Sequence, residues 1–135
     1  MRIDICFMGG LEVDRYGNVN AHKLDSGFTG IGGFANITHA TKNIVFCMNF
    51  TTKGLVVAKE NGVVNIKCEG SIPKFKSEIS AISFSAKNAL NRGQRVFYVT
   101  ERCVFELGRN GLMLKEVYDG VNPATQIYPL LDYPL

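Results

Sequence analysis

The chain has 135 residues, 46% apolar and 20% charged, with a net charge of +3. That suffices for one compact domain with a real core and is too short for two ordinary ones. The balance excludes a disordered or fibrous chain. The 15 basic residues are interleaved with 12 acidic ones. Even the densest basic stretch, Lys67, Lys74 and Lys76, is bracketed by Glu69 and Glu78, which reads as a solvated face and not as a nucleic-acid surface. No apolar run approaches the roughly 20 residues of a membrane span. Asp4 interrupts the place where a signal peptide's apolar region would begin, so the expected location is cytoplasmic, with no membrane partner.

Ile3 to Met8 is a short apolar run ending at Gly9-Gly10, the pattern of a buried strand. Val13 to Asn20 reads as a turn: Asp and Asn bond back to their own backbone, and Gly17 tolerates positive φ. Lys23 to Thr29 is polar and glycine-bearing, as a surface loop is. Gly30-Ile31-Gly32-Gly33-Phe34 follows, and residues Ala35 to Ala40 could open a short helix.

Ile44 to Met48 is a second buried-strand candidate. Leu55 to Ala58 and Val63 to Ile66 flank Asn61-Gly62, a strong hairpin signal. Ile79 to Phe84 is strand-like, and Lys87 to Arg92 is a helical turn stopped by Gly93. Arg95 to Thr100 reads as a central strand. Cys103 to Leu107 and Leu112 to Val117 pair across Asn110-Gly111 as a second hairpin. In the tail, Pro123 suits the first turn of a helix. The sum is an α/β fold: a mixed, strand-rich sheet with two β-hairpins and few short helices. That is unusual for a complete α/β enzyme and natural for a piece of one.

Metal and thiol chemistry find little support. Cys6, Cys47, Cys68 and Cys103 lie far apart with no CxxC spacing. Three of them, Cys6, Cys47 and Cys103, sit in apolar runs, where a thiol behaves as a small hydrophobe. His22 and His39 have no Cys or acid at ligand spacing. No Ser, Cys or His has a nucleophile-elbow or triad-like context.

The ordered segments carry a resemblance. They are Asp4 to Gly9, then Glu12-Val13-Asp14-x-x-Gly17-Asn18-Val19-Asn20, then Gly30-Ile31-Gly32-Gly33-Phe34-x-Asn36-Ile37. Val45 to Cys47 comes next, then the Asn61-Gly62 hairpin, Ile82 to Ser85, and Tyr98-Val99-Thr100-Glu101-Arg102-x-Val104-Phe105-Glu106-Leu107. From Ile3 to about Asp119 the series resembles the C-terminal portion of the acyl-CoA:acetate / 3-ketoacid CoA-transferase family, especially the acetate or propionate type.

The resemblance implies that residues 1–135 form a single, incomplete CoA-transferase domain, the C-terminal part of a catalytic half. It implies transfer of CoA between short-chain acyl-CoA and a carboxylic acid (acetate, propionate or a 3-ketoacid, the chemistry of ketone-body metabolism) through a glutamyl-CoA intermediate. Coenzyme A is then a substrate, and no cofactor or metal is needed. Gly30, Gly32, Gly33 and Phe34 would offer backbone donors to the tetrahedral oxyanion and the CoA thioester. Standing alone, the same glycines equally suit a tight strand-to-helix turn. Asn18 and Asn20 would lie at the active-site rim, or simply shape a loop. Lys53 could approach a CoA phosphate, although a solvated lysine ahead of a hairpin fits as well.

Seven glutamates are present, and none stands where the family's nucleophile belongs, which would precede Met1. Glu60-Asn61-Gly62 mimics the nucleophile's E-N-G setting, but it lies downstream of the glycine loop and at a hairpin tip. Glu101 beside Arg102 could be a structural ion pair or a rim residue. The chain alone is expected to be inactive, a fragment that forms a homo-oligomer or associates with the missing N-terminal portion. The alternative is a non-catalytic interaction module that assembles with a separate companion.

Overall fold

A computed structural model describes residues 3–10, 12–21 and 38–135. Its centre is a five-stranded mixed sheet. Strand β1 (Ile3–Gly9) lies at one edge, and a short hairpin follows from β2 (Glu12–Val13) and β3 (Val19–Asn20). Strand β4 (Thr41–Cys47) pairs parallel with β1. Next come β5 (Thr51–Thr52), the hairpin β6 (Val56–Glu60) and β7 (Val63–Cys68), and β8 (Ile72–Pro73), which pairs with β5. Helix α1 (Ala86–Asn91) leads into β9 (Arg95–Val99), parallel to β4. Antiparallel β10 (Cys103–Gly108) and β11 (Gly111–Val117) complete the sheet order β1-β4-β9-β10-β11. Helix α2 (Pro123–Gln126) and a 3-10 turn, Tyr128–Leu130, end the chain.

Alternation sets the buried face. Cys103, Phe105 and Leu107 of β10 point inward while Val104 and Glu106 are only partly covered. Ile44 and Phe46 of β4 join Val96 and Tyr98 of β9 on that inner face. Against it pack Val13, Val19, Phe50, Phe75, Phe84, Ala89 and Ile127, all from the connecting segments. Aromatic rings tie the two layers together: Phe46 meets Phe84 edge-on at 5.0 Å, and Phe75 lies 4.9 Å from Phe50 and 5.1 Å from Phe105.

Both predicted hairpins are present. Asn61 (φ 54°) and Gly62 (φ 78°) form the two-residue, left-handed turn that matches strand twist. In the second hairpin the loop is Arg109-Asn110, one residue earlier than expected, because Gly111 already pairs with Gly108. Ile79 to Phe84 is not a strand. Only Phe84 bridges to Val19, since this stretch runs across the β2–β3 hairpin and not along a neighbour. Strand β1 is not buried either: at the sheet edge, Ile5 is 50% and Phe7 68% exposed. Likewise Cys47 is exposed, while Cys103 is buried as expected. Among the described residues no helix is long and apolar enough to cross a membrane.

Candidate functional site

In open sheets, ligands bind beyond the carboxyl ends of parallel strands. Here that edge is formed by the ends of β1, β4 and β9, where Gly9 aligns with Cys47 and Cys47 with Val99. The Met48 N–H continues the ladder to the Val99 carbonyl at 3.0 Å. Beyond β9, the Thr100 hydroxyl closes a tight turn by accepting the Arg102 and Cys103 N–H groups and donating to the Cys103 carbonyl.

That turn delivers Arg102 into the interior, where it is fully buried. Its guanidinium donates to both Glu69 oxygens at 2.8 and 2.9 Å, to Glu101, and to the Gln126 carbonyl at 2.9 Å. It also lies over the Phe50 ring, 4.8 Å from the centroid. Burial opposes its charge, but the two carboxylates overcome this and raise its pKa above the ordinary value. The Arg102 bonds hold the Glu69 carboxyl below its usual range against the effect of burial. Glu101 in turn accepts the Phe50 N–H at 2.6 Å, and Glu69 accepts the Thr51 hydroxyl at 2.6 Å. Glu101 is thus a structural ion pair that fixes the backbone just after β4. Its adjacency to Arg102 was visible in the sequence; the role of Glu69, 33 residues away, carried no local signal.

Asn18 and Asn20 occupy the β2–β3 hairpin. Asp14 accepts the Tyr16 and Asn18 N–H groups and the Asn18 side-chain amide. The Asn18 side-chain oxygen, Oδ1, accepts the Ala86 N–H at 2.8 Å, and Ser85 caps the same helix through Asn88. Asn18 therefore locks a turn and the start of α1 together, and it borders a shallow cleft with Tyr16, Lys87 and Arg109. Asn20 is fully buried and donates to Glu12 at 2.8 Å. Burial alone would raise the Glu12 carboxyl; bonds from Asn20, Lys76 and the Ser80 N–H outweigh it and hold the group at about 2. Immediately after Asn20, the Ala21 N–H is held by the Ser83 hydroxyl at 3.0 Å. The chain is therefore anchored where it departs into residues 22–37. Gly30, Gly32, Gly33 and Phe34 fall in that stretch and lie outside the described residues.

All seven glutamates are committed or solvated. Glu12, Glu69 and Glu101 are held as above, and Glu106 pairs with Arg95 at 3.1 Å and Lys115 at 3.7 Å. Glu60 is 66% exposed at the hairpin tip with Lys67 3.6 Å away, while Glu78 and Glu116 are exposed. None combines a water-poor pocket with aimed donors and an open approach for a thioester. Lys53 is exposed, as a solvated lysine ahead of the hairpin. Burial pushes the Cys103 thiol up to about 12, which makes it inert at neutral pH. Among the described residues no group of His, Cys, Asp and Glu gathers as metal ligands.

No protein-family model matches the chain. Individual proteins do. The acetate CoA-transferase YdiF of Escherichia coli K12 is 40% identical over 131 residues, 97% of this chain and 25% of that protein. The caffeate CoA-transferase of Acetobacterium woodii is 36% identical over 136 residues, covering 97% of this chain and 26% of its own length. The crystal structure of the YdiF apoenzyme from Escherichia coli O157:H7 superposes with a TM-score of 0.91, at 40% identity and over 97% of this chain. A second YdiF structure, a thioester complex with CoA, gives 0.90. The chain spans about a quarter of the length of these relatives. By sequence and fold together, this chain is similar, over nearly all of its own length, to about one quarter of these CoA-transferases.

Proposed function

We propose that this chain is the C-terminal part of a CoA-transferase active site that moves CoA between a short-chain acyl-CoA and a carboxylic acid such as acetate, propionate or a 3-ketoacid. The observation that carries the reading is 40% identity across 97% of the chain, joined to a TM-score of 0.91, with an acetate CoA-transferase. In the reaction a glutamate carboxylate attacks the acyl-CoA carbonyl and expels CoA thiolate, giving a mixed anhydride. The thiolate then attacks the glutamyl carbonyl, releasing the first carboxylic acid and leaving a glutamyl-CoA thioester. The acceptor acid reverses these steps. The occupied or solvated state of every glutamate in this chain supports a nucleophile supplied from outside it.

What the chain contributes is a frame for backbone donors. Each attack develops an oxyanion, and an aimed N–H is worth about 3 kcal/mol there. Gly30, Gly32 and Gly33, with Phe34 closing the loop, would supply such donors; Asn20 and Ser83 fix the strand end from which the loop departs. Asn18 and Asn20 would act at the rim by positioning the loop. The names of the relatives carry one aliphatic and one aromatic acid; the acid taken here would be selected by pocket walls from the companion portion.

The test uses acetyl-CoA and propionate. The purified chain should give no turnover. Fused to the three quarters of YdiF that it does not match, it should restore propionyl-CoA formation with ping-pong kinetics. Mass spectrometry of the acetyl-CoA-treated fusion should find the CoA adduct on a peptide outside this chain. An adduct on any of its seven glutamates, or steady turnover by the chain alone, would overturn the reading.

A further inference from the structure

The two edges of the sheet are built differently. Edge strand β11 carries Lys115 and Glu116, and its pairing with β10 is interrupted by a register shift between Val104 and Phe105. Charges and bulges of this kind deter further strand pairing. Edge strand β1 has seven residues, Ile-Asp-Ile-Cys-Phe-Met-Gly, in unbroken register with β4 from Ile5 to Gly9. It has no proline, no lysine and no bulge; Asp4 is its one charge. Among the described residues β4 is its one sheet neighbour.

The faces of β1 differ as well. Cys6 and Met8 pack against the core, whereas Ile5 and Phe7, on the opposite face, are 50% and 68% exposed. They flank the parallel trio β1, β4 and β9, and parallel strands are normally covered on both faces. Two exposed apolar side chains at an unguarded edge, next to the covered Val45, mark the end of the sheet as a place for further pairing.

We propose that the β1 edge and its Ile5–Phe7 face form the docking surface for the companion CoA-transferase portion, the three quarters of the relatives' length that this chain does not span. The companion would add a strand along β1 and lay an apolar segment over Phe7, with neutral or basic side chains near Asp4. This rests on the proposed function for the identity of the partner. The choice of partner follows from the homology: the fold of this quarter is kept in YdiF at a TM-score of 0.91 while the remaining polypeptide there lies outside the match.

The experiment mixes this chain with the separately produced remainder of YdiF and measures association by sedimentation velocity and calorimetry. A one-to-one complex is expected. Phe7→Glu and Ile5→Lys should each weaken it at least tenfold, whereas Val56→Lys, on the exposed β6 hairpin, should leave it unchanged. Hydrogen exchange should show new protection of the amides of residues 3–9 in the complex. Circular dichroism checks that the variants fold. Should the remainder not fold alone, the same substitutions are placed in the covalent fusion, where Phe7→Glu should lower Tm and Val56→Lys should not.

Equal effects of Phe7→Glu and Val56→Lys, unprotected β1 amides, or a β1-mediated homodimer without companion binding would each overturn the docking surface. The two readings separate cleanly. An active fusion indifferent to Phe7→Glu overturns the surface alone, and a Phe7-dependent complex without CoA transfer overturns the function alone.

Discussion

Arg102 and Glu69 form a two-pronged ion pair, Nη1 and Nη2 to the two carboxylate oxygens at 2.9 and 2.8 Å, across the base of the β6–β7 hairpin. The guanidinium is fully buried while the carboxylate retains some solvent contact. Its four acceptor oxygens come from β7's end, the β9–β10 turn and α2, so one side chain joins three parts of the chain that are distant in sequence.

Arg102→Met should therefore destabilise the fold by about 3–5 kcal/mol, because it strands two carboxylates around an apolar group. Arg102→Lys should fail nearly as badly, since an ammonium cannot reproduce the planar fork. Urea denaturation measures both. A loss below about 1 kcal/mol for either variant would mean that the network is dispensable.

Gly17 is the second fixed point. Its φ is 91°, its carbonyl accepts the buried Tyr98 hydroxyl at 2.6 Å, and a Cβ would stand 2.6 Å from Leu107 and 2.7 Å from that hydroxyl. Gly17→Ala should cost about 1–2 kcal/mol in backbone strain and about 1–3 kcal/mol in overpacking. Tyr98→Phe should cost about 1–3 kcal/mol by leaving the Gly17 carbonyl without its donor. Thermal melting of the two single variants and the double variant tests this; simple additivity would refute a shared site, because contacting residues couple.

The hairpins were legible because Asn61-Gly62 and Asn110-Gly111 are local signals between apolar arms. Strands β4, β9 and β10 were legible because central strands are apolar runs or alternate cleanly. Burial of β1 was misjudged because an apolar run does not say how far its second face is covered; there Ile5 and Phe7 stay 50% and 68% exposed. The segment from Ile79 to Phe84 looked like a strand, yet its only pairing among the described residues is one bridge to Val19, a partner chosen by tertiary packing. At the candidate site, the GNVN turn was readable as turn chemistry. Its bonds to Ala86 and Glu12 were not, being set by residues 68 and 8 positions away.

Acid should unfold the protein in a defined window. The Glu12 carboxyl sits at about 2 when folded, against an ordinary value of 4.5. Between these values the unfolded chain binds the proton and the folded one does not, so stability rises with pH. The contribution is complete above about pH 4.5 and lost as pH falls towards 2, and for this mostly buried group it amounts to about 1–3 kcal/mol. Glu69 is shifted in the same direction. Denaturation midpoints measured from pH 6 to 2 should fall across this window, and Glu12→Gln should flatten the slope. An unchanged slope would remove Glu12 from the account.

Asn18 can distinguish a frame from a reacting group. Its side-chain oxygen holds the Ala86 N–H and its amide holds Asp14. Asn18→Asp retains the first bond but turns the second into repulsion between carboxylates; Asn18→Ala loses both. If Asn18 only frames the turn, both variants should destabilise the fold by about 1–3 kcal/mol in urea denaturation, because each loses the amide donor to Asp14. In the active fusion with the YdiF remainder, both variants should then lower kcat only in proportion to the folded fraction. A drop in kcat beyond about tenfold in fully folded Asn18→Ala, with KM unchanged, would instead place this amide in contact with the reacting groups, since such a loss is confined to the transition state.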